Sequence, residues 1–273
     1  LKNIPYVISE VWKRFSRDDI PGIAAQLSYF FLLSLFPFLI FLLTLVGFLP
    51  ISADQVLGMI RDYAPGNTME IIEENIEVLM NQQNRGLLSI GIIGSLWAAS
   101  HGIYALMKIF NRAYETEENR SFFQSRFIAI VLTVAMLLVT ITVLLLPVFG
   151  RILGEFIFSF LGLTETFLQI WNALRWISSF VIMVIVLACL YKLAPDERIP
   201  FAHAFPGAIF AAVCWQLVSL AFAFYVENFG NYSAAYGSLG GIIVLMIWFY
   251  ISAIIIVIGG EINAILYKGN MAR

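Results

Sequence analysis

Six long apolar stretches alternate with clusters of charged residues along this chain. They run over about 23–48, 87–107, 126–149, 173–193, 205–225 and 241–267. A bilayer core is about 30 Å thick and takes about 20 apolar helical residues to cross, so each stretch is long enough. A spanning backbone must satisfy its own hydrogen bonds, which makes the crossings helices. The pattern predicts an all-α fold: one integral membrane domain over 1–273, with six transmembrane helices and further amphipathic or interfacial helices.

The basic residues set the orientation. Lys2, Lys13, Arg14 and Arg17 precede the first stretch, and Lys108, Arg112, Arg120 and Arg126 lie between the second and third. Lys192 and Arg198 follow the fourth, and Lys268 and Arg273 follow the sixth. The opposite side carries only Arg61, Arg85, Arg151 and Arg175. Cytoplasmic loops hold the Lys/Arg excess, so both termini are expected in the cytoplasm, which an even number of crossings requires. The basic inner face suits anionic lipid headgroups, and it is equally what the topology signal alone would leave.

Shorter features punctuate this frame. Residues 4–17 put Ile4, Val7, Ile8, Val11, Trp12 and Phe15 on one helical face, within a cytoplasmic amphipathic segment over 1–20. That helix lies either in the membrane interface or against the protein's own inner face. Pro37 bends the first span, and Gln26 and Ser28 near its start can line a polar cavity. The loop 50–86 is extracytoplasmic, with two short helices whose starts are marked by Ser52/Asp54 and Asn67/Thr68. In the second span, Gly91, Ser95 and Ala99, and Gly94, Ala98 and Gly102, recur every fourth residue and permit close helix packing. The apolar segment within 147–172 is too short to cross and reads as re-entrant or interfacial. The Gly- and Tyr-rich tract 226–241, with Tyr236, is either irregular backbone at a cavity mouth or a plain interfacial turn.

Composition excludes an ordinary soluble domain. The chain is 60% hydrophobic and 12% charged, against about 25% charged in soluble domains. The first twenty residues lack an apolar h-region, so no cleavable signal peptide is expected. Cys189 and Cys214 fall inside predicted spans and read as small buried thiols. No metal-ligand spacing and no P-loop is present, so no metal and no cofactor are expected. A membrane ribonuclease would need clustered carboxylates or histidines. His101 and His203 stand alone, and the scattered basic residues form no nucleic-acid groove.

Glu261, in GGEINAIL, is the sharpest single feature. A charge at a helix centre costs about 2.5–3.5 kcal/mol on insertion scales, less near the interface. Its expected partner is Arg112, Lys108, His101 or Lys192, at similar depth. It reads either as a proton- or headgroup-linked switch or as a structural ion pair. With it, Asn263, His101, Gln26 and Tyr236 are the candidates for a polar transport cavity. Lys108, Arg112, Arg120 and Arg126 are the cytoplasmic basic candidates. They offer either phosphate contacts or a salt-bridge network with Glu115, Glu117 and Glu118.

Four blocks carry a family resemblance: SYFFLLSLFPFLIFLLTLVG, IFNRAYETEENRSFFQSR, YKLAPDERIPF and YGSLGGIIVLMIWFYISAIIIVIGGEINAIL. In order and spacing, over about residues 12–268, they resemble the YihY/BrkB inner-membrane family, long labelled ribonuclease BN-like. The resemblance implies a six-span protein of the bacterial cytoplasmic membrane. Some members of that family are linked to serum resistance or to transport of a lipid-A-type lipid, and the ribonuclease label is regarded as a misassignment. The expected function is therefore a transporter or flippase for an amphiphilic, anionic, lipid-like substrate. The alternatives are a non-catalytic membrane scaffold for envelope integrity and, with less support, a ribonuclease. Membrane lipids are the expected partners and nucleic acid is not; a homo-oligomer remains open.

Overall fold

A computed structural model describes residues 4–46, 85–137, 165–229 and 239–271. Among these there are seven helices and no strand. They are α1 (Ile4–Arg17), α2 (Ile20–Val46) and α3 (Arg85–Tyr114), α4 (Phe122–Leu137), and α5 (Glu165–Leu193), α6 (Phe201–Phe229) and α7 (Leu239–Met271). Four contain segments long and apolar enough to cross a membrane: Ile20–Leu39, Ser89–Tyr114, Phe201–Val226 and Gly240–Gly269. The described apolar parts of α4 and α5, Phe122–Leu137 and Ile177–Leu193, are shorter. The loop 50–84, the apolar segment 152–163 and Tyr236 lie outside the described residues.

Helices run past the apolar stretches that announce them. The fourth was expected from 173, but α5 begins at Glu165, so residues 165–172 belong to a helix and not to the preceding loop. Glu165, Gln169 and Asn172 recur at helical spacing and depress the hydropathy without breaking the helix. Likewise α3 continues to Tyr114, which puts Lys108 and Arg112 on a helix and shortens the following loop to 115–121.

The break between α1 and α2 is local chemistry. Asp19 adopts φ 51°, a left-handed conformation that Asp tolerates better than most residues. Its carboxylate then accepts from the Gly22 amide at 3.3 Å, capping an otherwise orphan donor at the start of α2.

Contacts divide the chain into two compact units, Phe30–Ala99 and the remainder, Leu1–Tyr29 with Ser100–Arg273. In the first, α2 continues through Pro37. Gly94 sits where a Cβ would lie 3.2 Å from the Pro37 ring, and a Cβ on Gly91 would meet the Phe41 backbone at 2.8 Å. The small residues of α3 thus let α2 close in, as their spacing predicts.

In the second unit α7 packs on α6 and α1, and α5 packs on α6. Indole and hydroxyl groups stitch α6 to α7: Trp215 Nε1 donates to Ser252 Oγ at 3.1 Å and Trp248 Nε1 to Ser219 Oγ at 3.4 Å. The Tyr191 hydroxyl donates to the Ile256 carbonyl at 2.8 Å, tying α5 to α7. Ala113, Tyr114, Ile199 and Ala264 form a buried cluster at the C-terminal ends of α3 and α7, with Tyr267 packed against it.

Candidate functional site

The sequence Gly-Gly-Glu-Ile-Asn at 259–263 lies where α7 is most tightly enclosed. A Cβ on Gly259 would strike the Tyr191 hydroxyl, and one on Gly260 would strike the Phe110 ring. Gly207 on α6 faces the Gly259 carbonyl with no room for a side chain. These glycines bring α3, α5 and α6 close enough to α7 for the polar residues beside them to reach across.

Glu261 is fully buried. Its Oε2 accepts from Arg14 Nη1 at 3.0 Å. The same guanidinium donates to the Ala113 carbonyl at 3.0 Å and lies 3.5 Å from Glu10 Oε1. Arg14 is itself 5% exposed. The partner of Glu261 is thus none of the four cations expected from depth. Helix α1 turns back at Asp18–Asp19 and packs on α7, which brings in a residue 247 positions away. The other carboxylate oxygen, Oε1, and the Tyr114 hydroxyl are buried with no hydrogen-bond partner among the described residues. Chemically, this is a buried carboxylate neutralised by a cation on a separate helix, with one oxygen still able to accept a proton or a hydrogen bond.

Asn263, also fully buried, mends the start of α6. Pro206 lacks an amide proton and crowds the preceding turn. The Asn263 carboxamide accepts from the Gly207 amide at 2.7 Å and donates to the Ala204 carbonyl at 3.0 Å. Asn263 is therefore a clamp between α6 and α7, two residues from Glu261.

Asp18 is a second buried acid, 2% exposed. Arg17 grips it through Nη2 at 2.9 Å and Nε at 3.2 Å, and Arg112 Nε reaches it at 3.1 Å. Arg112 also donates from Nη2 to the Arg17 carbonyl at 2.8 Å. The Asp18 hydrogen bond holds the Arg17 guanidinium above its ordinary value.

A third network locks the loop 115–121 to the turn after α5. Arg120 donates to the Ala194 and Pro195 carbonyls at 3.1 and 2.8 Å and pairs with Asp196 at 2.9 Å. Orphan carbonyls at a helix C-terminus are natural partners for a guanidinium. Asn111 accepts from the Asp196 amide at 2.6 Å and donates to Glu118 at 2.9 Å. Lys268 Nζ lies 2.6 Å from Glu115, and this bond holds the Glu115 carboxyl below the usual range.

The remaining candidates lie apart from these contacts. His101 accepts from Arg126 Nη2, at 3.0–3.1 Å from its ring nitrogens. Lys108 is exposed, its Nζ 4.7 Å above the Tyr104 ring. Gln26 is exposed, and Ser28 beside it donates to its own helix at Ala25. Arg14 and Asp18 were missed as site residues. The stripe Glu10–Arg14–Asp18, spaced by four, is the signal that marks a charged edge running alongside the apolar face of α1. Among the described residues no group of three or more His, Cys, Asp or Glu is placed to hold a metal ion.

Residues 11–273 match the family described as virulence factor BrkB. Ribonuclease-like protein YfkH of Bacillus subtilis (strain 168) is 49% identical over 96% of this chain and 95% of its own length. UPF0761 membrane proteins of Pseudoalteromonas atlantica and Actinobacillus pleuropneumoniae are 28% and 26% identical, over 92% and 96% of this chain and 82% and 94% of theirs. No solved structure matches the chain.

Proposed function

The chain belongs to the virulence factor BrkB family and is a membrane protein, and from that premise we propose that it moves an amphiphilic, anionic, lipid-like substrate across the bacterial inner membrane. In this reading six helices cross the bilayer and both termini are cytoplasmic. The Lys/Arg asymmetry supports that orientation, and it puts the ends of α3 and α7, with α1, on the cytoplasmic side.

The observation that carries the proposal is the Arg14–Glu261 pair. Burying two charges is costly even when they meet, and intramembrane ionisable groups concentrate where substrates or ions pass. Here the cation sits on a short separate helix, so the carboxylate can be uncovered without unfolding α7. With no P-loop in the sequence, the cycle is passive or driven by an ion gradient. Glu261, Asn263 and His101 are the proposed polar residues along the path, with Gln26 and Tyr236 towards its mouths. Lys108, Arg112, Arg120 and Arg126 form the basic inner face.

A second reading, a membrane scaffold without turnover, draws support from the networks around Asp18 and Asp196, which tie the helix ends together. A ribonuclease has weaker support, since His101 and His203 stand alone in the sequence with no HxH or DxH spacing. The test is transbilayer movement of fluorescent anionic and zwitterionic lipids in proteoliposomes against empty vesicles. Protein-dependent movement is the expected result. Its absence with and without a proton gradient would reject lipid transport.

A further inference from the structure

Helix α1 uses two neighbouring faces differently. One carries Arg14 into the protein, with Val7 and Val11 partly covered beside it. The other carries Ile8 and Trp12, which remain 64% and 79% exposed. Phe15 stacks on Trp12 with ring centroids 6.3 Å apart. Further round the helix Lys13 is 72% exposed, while Arg17, half exposed, is held by Asp18. The contact between Lys13 and Glu10, at 4.0 Å, is too loose and too wet to hold the ammonium.

Two further observations say what covers the stripe. Only Asp18 and Asp19 separate α1 from Ile20, where a membrane-length apolar segment begins, so the stripe lies at the depth where a span enters the bilayer. The start of α4 carries a matching aromatic group: Phe122, Phe123 and Phe127 are 65%, 82% and 67% exposed. α4 follows the C-terminal end of α3, the end whose Ala113 carbonyl receives Arg14, so both aromatic groups mark one end of the unit. Tryptophan gathers at the headgroup level of membrane proteins, and Phe seats the apolar face of interfacial helices just beneath it.

The geometry points to α1 as an interfacial helix that docks on the anionic phospholipids of the leaflet around it. Ile8, Trp12 and Phe15 enter the boundary between headgroups and acyl chains, and the Lys13 ammonium reaches the lipid phosphates. The same helix holds Arg14 against Glu261, so the charge of the leaflet bears on how firmly that carboxylate is neutralised. This inference rests on the membrane-spanning reading and not on transport.

The test uses the full chain in nanodiscs of phosphatidylcholine, with and without phosphatidylglycerol, in which the lipids are brominated high on the acyl chain. The difference between wild type and Trp12→Phe isolates Trp12 among the six tryptophans. The Trp12 component should be quenched strongly in the anionic discs. Lys13→Gln, a change at a mostly hydrated side chain, should lower the docking equilibrium about fivefold, and α1 amides should exchange more slowly in anionic discs. Quenching by aqueous acrylamide and not by brominated lipid would overturn the proposal, and equal docking in both lipids would overturn its dependence on charge. Protection from both quenchers in both discs would assign the stripe to a second copy of the chain and also overturn it. None of these readouts needs a transported substrate, so a failed lipid-movement assay leaves them standing.

Discussion

The Arg14–Glu261 contact and the Lys268–Glu115 contact are the same chemistry, a cation against a carboxylate, at nearly the same end of α7. They differ in water. Arg14 and Glu261 are 6% and 1% exposed at the side chain, Lys268 and Glu115 30% and 65%. An exposed pair is worth about 0–1 kcal/mol, whereas removing one member of a buried pair costs about 3–5 kcal/mol because the other is stranded. Distance does not rank them, since the weaker contact is the shorter one. Burial decides which contacts bind helix to helix and which merely trim a loop.

The largest effect expected is at the buried pair. Arg14→Ala or Glu261→Ala should each lower stability by about 3–5 kcal/mol in detergent unfolding, and Arg14→Met with Glu261→Leu should recover most of that loss. A double change no better than the singles would deny that stranded charge is the cause. Asn263→Ala comes next. It removes the hydrogen bonds to the Gly207 amide and the Ala204 carbonyl, at about 0.5–1.5 kcal/mol each, and local hydrogen exchange at the start of α6 should rise with it. Arg120→Ala should cost less, about 1.5 kcal/mol, the low end for charged hydrogen bonds because the site is partly wet. Protease sensitivity at 115–121 is the matching readout.

Lys268→Ala should be smallest, under about 1 kcal/mol and further reduced by salt. Its pH dependence has a definite sign. Glu115 is held below its ordinary value by Lys268. The contribution is therefore present above the unfolded glutamate value, about 4.3, and is lost as pH falls through the depressed folded one. A Lys268→Ala difference that grew on acidification would contradict this.

Local patterns made the helical character and the four membrane-length apolar segments legible. The amphipathic face of 4–17 ends at two aspartates, and α1 occupies Ile4–Arg17, because periodicity and breaker are adjacent in the chain. Glu261 stood out because a charge after a long apolar run has few explanations. Its partner did not, because pairing with Arg14 depends on how α1 folds back, a tertiary fact with no local trace beyond the Glu10–Arg14–Asp18 stripe. The Asn263 clamp was hidden for the same reason: Pro206 creates the need on one helix and Asn263 meets it from another. Residues 165–172 read as loop because hydropathy reports apolar length and not helical hydrogen bonding.

The most direct test of the account is lipid movement in proteoliposomes by Glu261→Gln, with its fold verified by size-exclusion behaviour and helix content. The wild type should move lipid in a protein-dependent way, and that movement should collapse in the folded variant. A folded Glu261→Gln protein that moves lipid at the wild-type rate would contradict it and leave Glu261 a structural tie between α7 and α1.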